Sequence, residues 1–327
     1  MMGIKLTDVA KKAGVSATTV SRVINNYGYL SQKTIDKVHK AMEELNYQPN
    51  SMARSLQGKN TQLIGLIFPT VSHPFYGEIV SKIETKLFEK GYKTILCDSA
   101  NNKEKERDYL RMLIANKVDG IIAGAHNLDI IEYKNVGLPI ISFDRYLAEG
   151  IPIVSSDSYQ GGRLATEQLY QRGGRKIAIF TGTNESASPT NQRLNGYLSV
   201  IKEHHLDPMV YHFPLEYSPF LKATEIRQIL SRDKIDSVFC TDDLTAILVI
   251  NKAKELGLEI PEQLKVIGYD GTEFVQNYFP QLSTVLQPMD QFVDLLIDLL
   301  MKRINNADVE LDNLYQLSVK FIQGQTS

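Results

Sequence analysis

The chain has 327 residues, and its 36 Lys or Arg against 38 Asp or Glu give a formal net charge of −2 at pH 7. This length is too great for one small domain and predicts two or three folded units. No apolar run approaches the roughly 18 residues of a membrane span and no signal-peptide stretch is present, so we expect a cytoplasmic protein without a membrane partner.

The charge is divided unevenly along the chain. Residues 1–60 hold nine Lys or Arg and four Asp or Glu, a local charge of +5, so the remainder carries −7. A basic N-terminal segment favours contact with nucleic acid over a merely solvated surface. Cys97 and Cys240 lie in apolar strand-like runs, which indicates buried free thiols. No ligand spacing predicts a metal or another cofactor.

The first 48 residues are predicted to form an all-α helix-turn-helix headpiece of three short helices. In LTDVAKKAGVSATTVSRVINN, Thr7 can cap the first helix and Ser16 the second. Gly14 lies in the tight turn between them, where we expect a side chain to clash. The buried stripe of the second helix comprises Val15, Val20 and Val23. A third helix is predicted over 31–45 and belongs mostly to the core.

The outer face of the second helix carries small, polar or cationic side chains. They are Ala17, Thr18, Thr19, Ser21, Arg22 and Asn25. Short side chains allow a helix backbone to come close to DNA in the major groove, and one long Arg can reach guanine O6 and N7. The alternative is a plain helical hairpin whose outer face contacts water.

The pattern A-x3-G-V-S-x2-T-V-S-R-V, which begins at Ala10, resembles the LacI/GalR family of transcription regulators, and the resemblance extends over the whole chain. The resemblance implies that Ala17, Thr18 and Arg22 contact bases. It implies that Thr19, Ser21 and Asn25 hold the DNA backbone. Thr7 and Ser16 complete the predicted DNA-binding set.

The polar segment 49–60 resembles the hinge of this family, a short helix that pairs on DNA with its twin from a second subunit. Ala53 and Leu56 are three residues apart and share one face of such a helix. The resemblance assigns to Leu56 the opening of a base step from the minor groove. The alternative is an anchoring Leu in a flexible linker. A paired hinge implies a homodimer on near-palindromic operator DNA.

Residues 61–327 alternate apolar strand-like runs with helical patterns, which predicts doubly wound parallel sheets. The resemblance implies an α/β two-lobed periplasmic-binding-protein-like domain. We expect one lobe from 61–156 plus 288–327 and the other from 157–287. The final stretch, LYQLSVKFIQGQTS, is predicted to form a single closing strand.

Ligands of such folds bind between the lobes, beyond the carboxyl ends of the strands. A sugar site needs carboxylate acceptors, a forked Arg donor and an aromatic ring. The resemblance implies an effector-binding set of Phe75, Tyr76, Asp144, Arg145, Arg193, Tyr217, Asp242, Asp270 and Gln287. Each acid has an alternative role as the cap of the helix that follows its strand, and this is the role we predict for Asp243.

Stretches such as GYLSQKTIDKV, ARSLQGK and IGYDGTEFVQNYFPQLSTV are most similar to the family members that repress sucrose operons in Gram-positive bacteria. The sequence therefore predicts a sugar-released transcriptional repressor and not an enzyme. The alternatives are an effector such as ribose or a sugar phosphate, or a corepressor that promotes DNA binding. A sugar hydrolase that uses Asp144 and Asp270 is disfavoured because it does not explain the headpiece. A secreted sugar-binding transport protein is disfavoured for the same reason.

Overall fold

The computed structural model describes residues 4–24, 27–48, 60–124, 127, 130–182, 191–214 and 217–327. The chain forms two compact units, Met1–Thr61 and Gln62–Ser327. Asn25, Ala53 and Leu56 of the predicted DNA-binding set lie outside the described residues. Within the described chain, no helix is long and apolar enough to cross a membrane.

Within residues 4–24 and 27–48, the N-terminal unit forms the three helices that the sequence predicts. They are α1 (Leu6–Ala13), α2 (Ala17–Ile24) and α3 (Gln32–Glu44). Helices this short are marginal in isolation, so their stability depends on a shared core. That core is formed by Val9, Ala10, Val20, Val23, Val38 and Ala41.

The ends of α1 and α2 explain the positions of Ser16 and Gly14. They also correct two predictions, the cap at Thr7 and the clash at Gly14. Ser16 caps α2, since its Oγ accepts the Thr19 N–H at 3.0 Å. Thr7 does not cap α1, because the helix begins at Leu6 and Thr7 lies inside it. Gly14 has a φ of 68°, yet a Cβ there would meet nothing within 4 Å. The turn therefore requires glycine because of its left-handed backbone and not because of a clash.

The second unit contains two six-stranded sheets, each at the centre of a lobe. The sheet of the first lobe comprises β1 (Leu63–Phe68), β2 (Lys93–Asp98), β3 (Gly120–Ala123), β4 (Ile140–Phe143), β5 (Ile153–Ser156) and β11 (Leu314–Leu317). That of the second lobe comprises β6 (Ile177–Gly182), β7 (Met209–Phe213), β8 (Ser237–Cys240), β9 (Lys265–Asp270), β10 (Ser283–Leu286) and β12 (Lys320–Ile322). The strand orders are β11-β5-β4-β3-β1-β2 and β12-β10-β9-β8-β6-β7.

Helices cover these sheets. The first lobe has α4 (Pro74–Glu89), α5 (Lys103–Ala115), a 3-10 helix (Ile131–Asn135) and α11 (Met289–Asn305). The second lobe has α6 (Ser158–Gln171), α7 (Gln192–Glu203), α8 (Pro219–Arg232), α9 (Asp243–Glu255) and α10 (Glu273–Tyr278). In β1, Leu66 and Phe68 pack under α4 and α11 while Ile67 packs under α5. Burial on both faces explains the continuous apolar run of this strand.

The C-terminal stretch corrects one predicted boundary. It forms two strands in different sheets, since β11 pairs with β5 in the first lobe and β12 pairs antiparallel with β10 in the second. Thr326 anchors the end of the chain in the second lobe, because its Oγ1 donates to the Val266 carbonyl at 2.7 Å. The first lobe therefore does not include all of 288–327, and the single closing strand is wrong.

The chain crosses between the lobes at 156–158, 287–289 and 317–320. Beside these crossings, Lys82 of α4 pairs with Glu273 of α10 at 2.8 Å and with Asp290 at 3.1 Å. The two acid side chains are 65% and 75% exposed, so each pair contributes at most about 1 kcal/mol. Of these two pairs, only Lys82–Glu273 joins the two lobes, since Asp290 lies on α11 of the first lobe, and a pair this weak is readily rearranged.

Candidate effector cleft and DNA-contact face

The outer face of α2 carries small side chains, as the sequence predicts for a surface that contacts DNA. Ala17 and Thr18 are exposed, and Thr19, Ser21 and Arg22 are partly exposed. Arg22 extends along the loop after the helix, with its Nε donating to the Tyr27 carbonyl at 3.3 Å. A hydrogen bond of this length is weak, so it holds the guanidinium only loosely against the loop.

In the second unit, most of the predicted effector residues lie beyond the carboxyl ends of strands, in the segments or helices that follow. Tyr76 begins α4 after β1, Asp144 and Arg145 follow β4, and Asp270 ends β9. Arg193 begins α7 and Gln287 follows β10. In parallel sheets these ends share one edge, so the topology assembles side chains that are distant in sequence.

The charges of both lobes converge at this edge. Asp270 Oδ1 accepts the Gln287 Nε2–H at 2.8 Å and lies 4.0 Å from Arg193 Nη1. Burial raises the pKa of Tyr76 far above its ordinary value, and the charges that act on its phenol are those of Arg145, Asp144, Asp270 and Arg193. Tyr76 and Asp144 of the first lobe therefore lie near enough to Arg193 and Asp270 of the second to interact electrostatically, which places the four groups around one cleft.

The two cleft aspartates have unusual backbone geometry. Asp144 has a φ of 55° and Asp270 a φ of 112°, a region that residues with a side chain rarely adopt. Such conformations cost about 1–3 kcal/mol each and are found mostly at functional sites. Asp270 and Gln287 also border a cavity of about 290 Å³ lined from both lobes.

Arg193 is held rigidly in the cleft. Its guanidinium lies 3.6 Å from the centroid of the Tyr269 ring, and its Nη1 donates to the Thr241 carbonyl at 2.7 Å. Its Nε is buried and has no hydrogen-bond partner among the described residues. A buried N–H without a partner costs free energy that a bound acceptor would recover.

The cap of α9 is the neighbour of the aspartate that the sequence predicts. Asp242 caps α9, since its two oxygens accept the Thr245 N–H and hydroxyl, both at 2.7 Å. Asp243 is buried, and its carboxylate accepts the Gly271 N–H at 2.7 Å and the Thr284 hydroxyl at 2.6 Å. The prediction that Asp243 is the cap is therefore wrong. Burial raises the pKa of Asp243 to about 7.

Two groups near Asp242 were not predicted. Lys222 of α8 donates to Thr245 Oγ1 at 3.2 Å. Burial opposes the ionisation of Asp242, but the Lys222 ammonium and the Thr245 hydrogen bonds outweigh it and lower the pKa of this carboxyl. His73 caps α4, with Nδ1 accepting the Phe75 N–H at 3.3 Å. His73 follows β1 closely enough that the strand-end rule could have found it, whereas Lys222 inside a helix gave no such signal.

Two predicted effector contacts lie elsewhere. Phe75 is only 6% exposed and belongs to the hydrophobic core of the first lobe, where its ring stacks on Phe143 at 5.9 Å. Tyr217 packs against the core of the second lobe. Phe75 supports the cleft through its ring contact with Tyr76, with 5.4 Å between the centroids, and Tyr217 supports the wall of the second lobe.

Comparisons with known proteins agree with this architecture. Residues 5–50 match the family of bacterial regulatory proteins, lacI family, and residues 166–327 match the periplasmic binding protein-like domain. The sucrose operon repressor of Pediococcus pentosaceus is 58% identical over 323 residues, which cover 99% of each chain.

Two solved structures are similar in fold. The lac repressor dimer bound to operator and the anti-inducer ONPF is 27% identical with a TM-score of 0.83, over 99% of this chain and 98% of that one. A periplasmic binding protein/LacI transcriptional regulator from Alkaliphilus metalliredigens, complexed with D-xylulofuranose, is 31% identical with a TM-score of 0.74 over 81% and 99%. This chain belongs to the lacI family of bacterial regulatory proteins, which are DNA-binding repressors and not enzymes.

Proposed function

We propose that this chain represses a sucrose-utilisation operon in the cytoplasm, by binding a near-palindromic operator as a homodimer, and that a sugar in the cleft releases it. The observation that carries the proposal is the convergence of Tyr76 and Asp144 from one lobe with Arg193 and Asp270 from the other. Carboxylates, a forked donor and an aromatic ring are the groups that a polyhydroxyl ligand requires. The 58% identical sucrose operon repressor supports the choice of sugar.

The headpiece, residues 1–48, supplies DNA recognition in this proposal. The bases are contacted by Ala17, Thr18 and Arg22, and the backbone by Thr7, Ser16, Thr19, Ser21 and Asn25. The hinge, residues 49–60, pairs with its twin, and Leu56 beside Ala53 enters the minor groove. The effector domain begins at residue 61 and provides the cleft and the dimer contacts.

Exposed apolar side chains on both lobes support a homodimer. On the first lobe, Phe88 is 66% exposed and Leu96 45%. On the second lobe, Phe220 is 78% exposed and Tyr278 72%. Exposed apolar groups mark a surface that a partner covers where they form one contiguous patch, and we assign these groups to such a patch. A two-fold dimer would cover the same groups on both subunits.

Release follows from a shift between two lobe arrangements. A sugar that bridges the lobes stabilises the arrangement in which it makes the most contacts, and the hinges of that arrangement no longer pair. The ligand moves this equilibrium only by its differential affinity for the two states. A hundredfold release requires roughly 2.7 kcal/mol of coupling.

The proposal is tested with the full chain and a fluorescent duplex selected from a near-palindromic library. We expect specific binding by anisotropy, and at least tenfold weaker binding when sucrose or fructose is added at saturation. Ribose serves as the comparison sugar. Operator affinity that no sugar changes would contradict the sensing function, and affinity that a sugar increases would contradict release.

A further inference from the structure

The cations of the cleft are already engaged by groups of the chain itself. Arg193 is held by the Thr241 carbonyl, the Tyr269 ring and the Asp270 carboxylate. Lys222 donates to Thr245 Oγ1, and its charge stabilises the Asp242 carboxylate. Arg145 is buried and also engaged. Each cation therefore already interacts with the protein before a ligand arrives.

The sum of the charges leaves no positive excess. Among the described residues of the cleft, the cations are Arg145, Arg193 and Lys222, and the carboxylates are Asp144, Asp242, Asp243 and Asp270. Burial raises the pKa of both Asp243 and Asp270, and each charge raises the pKa of the other, so this pair holds one proton and the carboxylates then equal the cations in number. Burial lowers the pKa of His73, so the imidazole adds no charge near pH 7. A dianionic phosphate would enter this buried cleft without a free counter-charge.

The hydrogen-bond donors and acceptors of the cleft also favour a ligand that carries hydroxyl groups over an ionised phosphate. Carboxylate oxygens need a donor, which a sugar hydroxyl provides and an ionised phosphate cannot. The buried Nε of Arg193, which has no partner among the described residues, needs one acceptor. A hydroxyl can accept from this N–H and donate to the Asp270 carboxylate at the same time. A ring of hydroxyls therefore complements both needs.

We propose that the cleft takes an uncharged saccharide and discriminates against the phosphate ester of the same sugar. This inference rests on the proposed sensing function and specifies its ligand. Asp242 contributes to the discrimination because it neutralises Lys222 at the wall of the second lobe. Removing that one carboxylate creates an uncompensated ammonium, which is the group that a phosphate would use.

The test is isothermal titration of the full chain with sucrose, fructose, sucrose 6-phosphate and fructose 6-phosphate. We expect at least one neutral sugar to bind, and its phosphate ester to bind at least tenfold more weakly. An ester that binds as tightly as its neutral sugar overturns this inference and leaves the sensing function intact. Absence of binding by all four compounds overturns both.

A charge variant sharpens the test. Asp242→Asn keeps the cap of α9, since Asn caps a helix about as well as Asp. It leaves the positive charge of Lys222 without its neutralising carboxylate. We expect the ratio of ester to neutral affinity to rise at least fivefold. The control is Asp236→Asn, which removes the same charge at the opposite end of β8, where Asp236 accepts the Lys176 N–H at 2.9 Å. A ratio that does not rise in Asp242→Asn, or that rises equally in Asp236→Asn, overturns the inference.

Discussion

At the scale of single residues, the cleft contains two aspartates, Asp144 and Asp270, whose backbone φ angles are positive. Asp144 has a φ of 55° and Asp270 a φ of 112°, and the Asp270 carboxylate lies beside Arg193 and Gln287. The cost of about 1–3 kcal/mol for each residue is offset by the packing of the surrounding sheets. Neither residue type nor spacing reveals such a backbone angle, so the sequence could name both residues without explaining their orientation.

Asp270→Asn should abolish the sugar response and leave operator affinity unchanged. Asn has nearly the shape of Asp and keeps an acceptor oxygen for the Gln287 Nε2–H, so the fold should survive, but it removes the negative charge that faces Arg193. We expect sugar affinity to fall at least tenfold by calorimetry, with less than a twofold change in operator affinity. A normal sugar response in this variant would place the binding site elsewhere.

Asp243 should make the stability of the second unit depend on pH. Its pKa is raised to about 7 in the folded chain from 3.8, so the folded state keeps the proton at pH values where the unfolded chain has lost it. This contribution is greatest below about pH 4 and is lost as the pH rises towards 7. Asp243→Asn lacks the titrating group.

The free energy of unfolding of Asp243→Asn should therefore rise relative to the wild type by roughly 1 kcal/mol for each pH unit between pH 5 and 7. Urea unfolding of both proteins at pH 5, 6 and 7 measures this difference. Asp236→Asn is the control. A difference that stays constant across the range would show that Asp243 does not hold its proton in the folded state.

Arg22 is the residue whose loss should relax base recognition. Arg22→Ala removes the one long donor of the outer face of α2, and we expect it to cost about 1–3 kcal/mol of affinity for the preferred operator. The loss should be concentrated at one base position when single-base variants of the operator are compared. An equal loss on every sequence, random DNA included, would indicate a phosphate contact instead.

At the scale of elements, the turn between α1 and α2 depends on the backbone of Gly14. Gly14→Ala meets no atom within 4 Å, so its cost arises from the φ of 68° and should be about 1 kcal/mol. We expect the headpiece to unfold at lower temperature while the second unit keeps its transition. Gly137→Ala, with a φ of 65° and no atom within 4 Å of the added Cβ, should lower the unfolding temperature of the second unit and leave that of the headpiece unchanged.

Most elements were predictable because their patterns are local. The headpiece stripe of Val20 and Val23 and the continuous apolar run of β1 each indicate one structure. The division of the last residues between two sheets was not predictable, because 314–317 and 320–322 look alike in sequence and only the pairing with β5 or β10 separates them. Likewise, Asp242 and Asp243 are adjacent identical residues, and only the start of α9 decides which one caps it.

At the scale of the whole molecule, charge separates the two binding functions. The basic segment 1–60 carries +5 and the rest −7, so operator binding should release counterions while the balanced cleft should not. We expect operator affinity to fall at least a hundredfold between 50 and 200 mM salt. Sugar affinity should change less than twofold. An operator affinity that is flat with salt would contradict phosphate contacts by the headpiece.

The order in which the polypeptide is made has a consequence for how the effector domain matures. The core of the first lobe needs Phe292, Leu296 and Leu300 of α11, and each sheet obtains one edge strand from residues 314–322. A nascent chain still attached to the ribosome therefore has its headpiece complete but neither lobe finished. A chain that stops before residue 314 would lack both strands and leave β5 and β10 as open sheet edges, which are sites for aggregation.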